Sequence, residues 1–98
     1  MSAFVISEVE TRDHAAMESY RTRAARSIAL YGGRYLARGA AADVAEGAPS
    51  RANMVVVEFE SMARLREWYA SAEYAEALQF RPTAFVRRLI FTEGVQPA

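Results

Sequence analysis

The chain has 98 residues, zero formal net charge and a hydrophobic fraction of 52%, a balance that suits one folded domain over residues 1–98 and argues against disorder. It contains no cysteine, and all 12 of its basic residues are arginine, which excludes thiolate nucleophiles, disulfides, Schiff-base lysines and lysine-dependent phosphate loops. With His14 as the single histidine, no multi-histidine metal site forms within one chain, and neither a metal nor a cofactor is expected.

The chain opens directly on a strand pattern. Val5, Ser7 and Val9 fall on one face and Phe4, Ile6 and Glu8 on the other. No basic leader precedes it, and no run approaches the roughly 18 apolar residues of a membrane span, so a cytoplasmic location is expected. Asp13 is placed to cap a helix whose apolar stripe is Met17, Tyr20, Ala24, Ile28 and Tyr31. Gly32-Gly33 ends that helix, because glycine accepts the left-handed conformation past a last turn.

Arg34 to Arg38 reads as a second strand, with Tyr35 and Ala37 opposed to Arg34, Leu36 and Arg38. Residues 39–53 read as a connection, with a short edge pairing at Val44 to Glu46. Met54 to Glu60 alternates most regularly, Val55, Val57 and Phe59 against Met54, Val56 and Glu58. Ser61 then caps a second helix over about residues 61–81, and Ser71 before Glu73 predicts a kink or restart. Pro82 is expected to close this segment before a last strand over Arg87 to Glu93.

This order is α+β: a ferredoxin-like βαββαβ chain with a four-stranded antiparallel sheet and two helices on one face. The predicted core comprises Val5, Val9, Tyr35, Ala37, Val55, Val57, Phe59, Leu89 and Phe91. The other face then carries Phe4, Ile6, Leu36, Met54, Val56 and Ile90 among Glu8, Arg34, Arg38, Glu58 and Arg88. Fully burying one such apolar side chain is worth about 1.5–3 kcal/mol, so a homodimer formed sheet on sheet through this face is expected.

Four segments carry a family resemblance: Tyr-Gly-Gly-Arg-Tyr-Leu-Ala-Arg-Gly (31–39), Val-Val-Val-Glu-Phe-Glu-Ser (55–61), Trp-Tyr-Ala-Ser-Ala-Glu-Tyr (68–74) and Arg-Leu-Ile-Phe-Thr-Glu-Gly (88–94). Together with Glu46-Gly47 and the Asp13-to-Tyr20 spacing, they make nearly the whole chain similar to the DUF1330 family. The resemblance implies a dimeric α+β barrel, in which two ferredoxin-like sheets face each other. It also implies kinship with cofactor-free monooxygenases, muconolactone isomerases and YCII-like proteins. The family has no general assigned activity, so it lends no catalytic residues. Where relatives often have proline after the third-strand Phe59, this chain has Glu60.

Candidate site residues follow from placement on the open face. Glu58 is a candidate general base if desolvated, or else the ion-pair partner of Arg34 or Arg38. Arg38 and Arg34 offer planar paired donors for a carboxylate or enolate, as does Arg88, whereas pairing with Glu8 and Glu58 would make the same set a polar dimer seam. Tyr74, at the helix restart, and Arg81, near the helix end, are further candidates for substrate contact, against core packing and carbonyl capping respectively. Trp68 reads as core, and His14 as solvent-facing.

Nucleic-acid binding is not expected, because RNA-recognition domains of this strand order need exposed sheet aromatics and a basic surface. The glycine-rich anion loop of acylphosphatases is also missing between the first strand and helix. Three functions remain: a small cofactor-independent enzyme of isomerase, cyclase or monooxygenase type acting on an oxygenated or carboxylated organic molecule; a non-catalytic ligand-binding dimer; and a structural homodimer.

Overall fold

The computed structural model describes residues 1–96; positions 97 and 98 of the expected domain lie outside the described residues. In chain order the elements are β1 (Ala3–Thr11), α1 (His14–Leu30), β2 (Arg34–Ala41), β3 (Asn53–Phe59), α2 (Met62–Tyr69), α3 (Ala72–Leu78), α4 (Arg81–Ala84) and β4 (Phe85–Glu93). The strands form one antiparallel sheet in the order β2-β3-β1-β4, the ferredoxin-like arrangement expected from the element order.

Local chemistry explains the helix boundaries. Asp13 accepts from the Ala16 amide at 2.8 Å, Ser61 from Arg64 at 3.1 Å and Ser71 from Tyr74 at 3.1 Å, so all three predicted caps form. Gly32 takes φ +78° after α1. The Gly33 amide donates to the Ile28 carbonyl at 2.9 Å, and a Cβ on Gly33 would stand 2.8 Å from Ile28 and from the Phe59 ring. Glycine is thus favoured at Gly32 by the left-handed turn and at Gly33 by space.

Two expectations change around the second helical layer. Helix two does restart at Ser71, but Pro82 does not close it; Pro82 lies in the first turn of α4, where its missing N–H costs no helical bond. β4 accordingly starts at Phe85 rather than Arg87. Val44 to Glu46 forms no strand; β2 instead continues to Ala41, and the Ala42 amide donates to the Ala52 carbonyl at 3.0 Å.

The larger correction lies in β2. Tyr35 pairs with Val57, but Ala37 pairs with Val56, so Leu36 and Ala37 together oppose one residue. This β-bulge reverses the alternation. Ala37 leaves the predicted core for the open face, and Arg38, paired with Val55, moves from the open face to the helix side. A second shift between Arg38 and Ala40 centres on Gly39, whose φ of +90° suits a bulge glycine.

Elsewhere the predicted faces hold. Val5, Val9, Val57 and Phe59 are buried beneath the helices, joined by Leu65, Trp68 and Tyr74. Phe59 and Trp68 pack with ring centroids 5.3 Å apart, and Trp68 and Tyr74 at 4.2 Å. This aromatic block ties β3 to α2 and α3 and sets the depth at which the Tyr74 hydroxyl lies.

Candidate functional site

A cavity lies between α1 and the helix side of the sheet. About 80 Å³ of it is open to the centres of water molecules, more than the roughly 10–15 Å³ one water needs but less than the roughly 150 Å³ of a cavity that encloses benzene. It therefore has room for one end of an organic molecule that extends out through its mouth. Its walls are largely apolar, from Val5, Val9, Met17, Ile28, Val57 and Leu89. Its charged lining is one-sided: Arg21, Arg38 and Arg87 border it, and among the described residues no aspartate, glutamate or histidine does.

The innermost polar group is a triangle. Arg87 donates through Nη1 to the Tyr20 hydroxyl at 2.8 Å and through Nη2 to the Tyr74 hydroxyl at 2.9 Å. The two hydroxyl oxygens are 2.6 Å apart. Each phenol oxygen therefore accepts from Arg87, and one phenol donates to the other. Tyr74 is fully buried, with 0% exposure, and has no other acceptor for its proton among the described residues. Stranding that proton would cost about 1–3 kcal/mol. Tyr74 thus donates to Tyr20, and Tyr20, which borders the cavity while Tyr74 does not, keeps its own hydroxyl proton for another acceptor.

The electrostatics support the same arrangement. Burial, followed by the neighbouring Tyr20, pushes the Tyr74 hydroxyl well above the ordinary phenol value, so it remains a neutral donor. Burial disfavours the charge on Arg87, but the Tyr20 and Tyr74 oxygens outweigh it and the guanidinium is held protonated. Phe85 and Tyr20 present their rings to Arg87 at 4.8 and 5.5 Å. No carboxylate pairs with Arg87 among the described residues. Among the described residues this half-buried cation is thus held by neutral groups alone.

The residues singled out from sequence divide between two faces. Arg38 lines the cavity and Tyr74 anchors its polar end. Glu58 and Arg34 lie on the opposite face, where the Arg34 Nε donates to the Glu58 carboxylate at 2.7 Å. That bond holds the Glu58 carboxyl below the usual glutamate value. Glu8 and Arg88 face each other across β1 and β4 on that same side. Arg81 is exposed at the start of α4 and does not line the cavity. His14 is exposed in the first turn of α1.

Sequence reasoning missed Arg87 and the hydroxyl of Tyr20. The alternation of Phe85, Arg87, Leu89 and Phe91 did carry a signal for Arg87, since it places the arginine on the same face as two predicted core residues. Tyr20 was legible only as part of an apolar stripe.

The family model described as a domain of unknown function, DUF1330, matches residues 2–95. The chain belongs to the DUF1330 family. No curated protein matches it. Among solved structures, a protein of unknown function from Rhodopseudomonas palustris superposes with a TM-score of 0.80 at 19% identity, over 98% of this chain and 84% of that one. SnoaB, a cofactor-independent oxygenase from Streptomyces nogalater, superposes with a TM-score of 0.68 at 12% identity, over 98% and 95% of the two chains. A dimeric protein of unknown function with a ferredoxin-like fold from Bacteroides fragilis gives a TM-score of 0.63 at 12% identity, over 95% and 96%. At these identities the likeness is one of fold. Among the described residues, no helix is long and apolar enough to cross a membrane.

Proposed function

We propose that this DUF1330 chain is a small cofactor-independent enzyme that holds an anionic, oxygenated organic molecule in the cavity between α1 and the sheet. The observation that carries the reading is Arg87: a half-buried guanidinium without a carboxylate partner among the described residues, hydrogen-bonded to Tyr20 at the cavity. Preorganised donors of this kind stabilise an oxyanion as it develops on a bound enol, phenol or carbonyl. Because no carboxylate or imidazole residue lines the cavity among the described residues, the reaction suits substrates whose own proton is acidic. Donation from Arg87 and Tyr20 lowers the pKa of such a group and favours its anion, which is then set for isomerisation, cyclisation or reaction with dioxygen. The fold shared with a cofactor-independent oxygenase supports the same class. Glu58 lies across the sheet and takes no part in this reading.

The test is incubation with a panel of acidic phenols, hydroquinones and 1,3-diketones, with and without dioxygen, followed by mass spectrometry of the small molecules. Conversion that is lost in Y20F supports the enzyme. The missing cavity base favours a second reading, a non-catalytic binder, for which saturable binding with every compound recovered unchanged is the expected result.

Homodimerisation through the open face belongs to the same proposal. Phe4, Ile6, Met54, Val56 and Ile90 are only partly covered and Leu36 is 50% exposed, leaving an apolar row of Ala37, Val56, Ile6 and Ile90 across the sheet, flanked by Glu8, Arg34, Glu58 and Arg88, on the side away from the helices. The dimeric description of the Bacteroides fragilis protein supports this assembly.

A further inference from the structure

The bulge in β2 has a chemical result. Without it, Arg38 would alternate onto the open face; with it, Arg38 pairs with Val55 and turns toward the cavity. Its guanidinium lies over the Tyr35 ring at 4.2 Å from the centroid, which orients the planar fork without consuming its hydrogen-bond donors. No carboxylate pairs with Arg38 among the described residues. Arg21, also on the lining, has only a loose contact with Glu18 at 3.9 Å between two well-exposed side chains. Arg38 and Arg21 are exposed whereas Arg87 is half-buried, and Arg38 on β2 and Arg87 on β4 stand on the two outer strands of the sheet, with Val55 of β3 and Ser7 and Val9 of β1 between them in register.

Resting on the proposed anion site at Arg87 and Tyr20, we infer that the ligand is bipolar: an apolar body with a phenol- or enol-type oxygen at the inner end and a separate carboxylate at the outer end, held by Arg38. Tyr20 and Arg87 read the inner oxygen. Arg38, with its planar paired donors, reads the carboxylate, and the stacked Tyr35 ring fixes the angle at which it does so. Arg21 adds positive charge at the entrance and draws anions toward it. Arg38 is therefore the specificity-determining residue for carboxylate-bearing ligands, and the bulge at Leu36–Ala37 is the device that puts it there.

The probes are 4-hydroxybenzoate and its methyl ester, which share the phenol and ring but differ in the outer charge. Isothermal titration calorimetry is run on the wild type, R38Q and Y20F. The wild type is expected to bind the acid at least about tenfold more tightly than the ester, the usual worth of a hydrogen bond to a charged group. R38Q should erase most of that preference by weakening the acid alone, while Y20F should weaken acid and ester alike. Equal binding of acid and ester by the wild type, or equal weakening of both in R38Q, overturns the role of Arg38 and leaves the inner site standing. Failure of both probes to bind at millimolar concentration overturns the inner site, and this inference with it.

Discussion

The Tyr74 hydroxyl donates to the Tyr20 hydroxyl across 2.6 Å while Arg87 donates to both oxygens. The direction of that one hydrogen bond decides which phenol serves the cavity. It also makes the two phenylalanine variants unequal. Y20F strands the buried Tyr74 proton and one Arg87 donor, for about 2–3 kcal/mol of stability. Y74F removes an acceptor from Arg87 and the donor to Tyr20 but strands no buried phenol proton, for about 1 kcal/mol. Urea denaturation of both variants measures the difference. Equal losses, or a larger loss in Y74F, contradict the assigned direction.

Glu58 and Arg34 predict a pH effect unrelated to the cavity. The Glu58 carboxyl is lowered in the folded state, first by the Arg34 hydrogen bond. A lowered carboxylate contributes stability above its unfolded pKa, near the ordinary value of 4.5, and that contribution is lost as pH falls through the folded value. Thermal midpoints of the wild type and E58Q should therefore differ by a constant small amount from pH 6 to 8. They should converge as pH falls below 4.5 and through the lowered folded value. A gap that widens on acidification contradicts the pairing.

Much of the frame was legible from single residues. Asp13, Ser61 and Ser71 announced three helix starts, Gly32-Gly33 announced a stop, and alternation in β1 and β3 assigned both sheet faces, because each signal is local. The bulge was not legible. Leu36-Ala37 contains neither glycine nor proline, and the extra residue shows only in how β2 meets β3. Its effect was to turn Arg38 and Ala37 to the wrong faces and to draw attention to the Glu58 side of the sheet. The triangle of Tyr20, Tyr74 and Arg87 joins positions as much as 67 residues apart, and only the packing of α1 and α3 over β4 brings them together.

The open face predicts assembly. Val56 lies at its centre, next to Ile6 on β1 and Leu36–Ala37 on β2. V56D places a charge in the middle of the proposed seam, and an unpaired buried charge is costly. Light scattering at micromolar concentration is expected to show a wild-type dimer and a folded V56D monomer. A wild-type monomer, or a V56D dimer as tight as the wild type, contradicts the seam.

The central claim is that ligand enters the cavity between α1 and the sheet rather than settling near Glu58 on the opposite face. Its most direct test is titration of isotope-labelled protein with 4-hydroxybenzoate, followed by nuclear magnetic resonance of backbone amides and arginine side-chain Nε–H groups. The account predicts shifts at the Nε–H groups of Arg87 and Arg38 and at the amides of Ser7, Ala24, Val55 and Leu89, with Phe4, Ile6 and Glu58 little changed. Shifts confined to Phe4, Ile6, Glu58 and the Arg34 Nε–H would place the ligand on the other face and contradict the account.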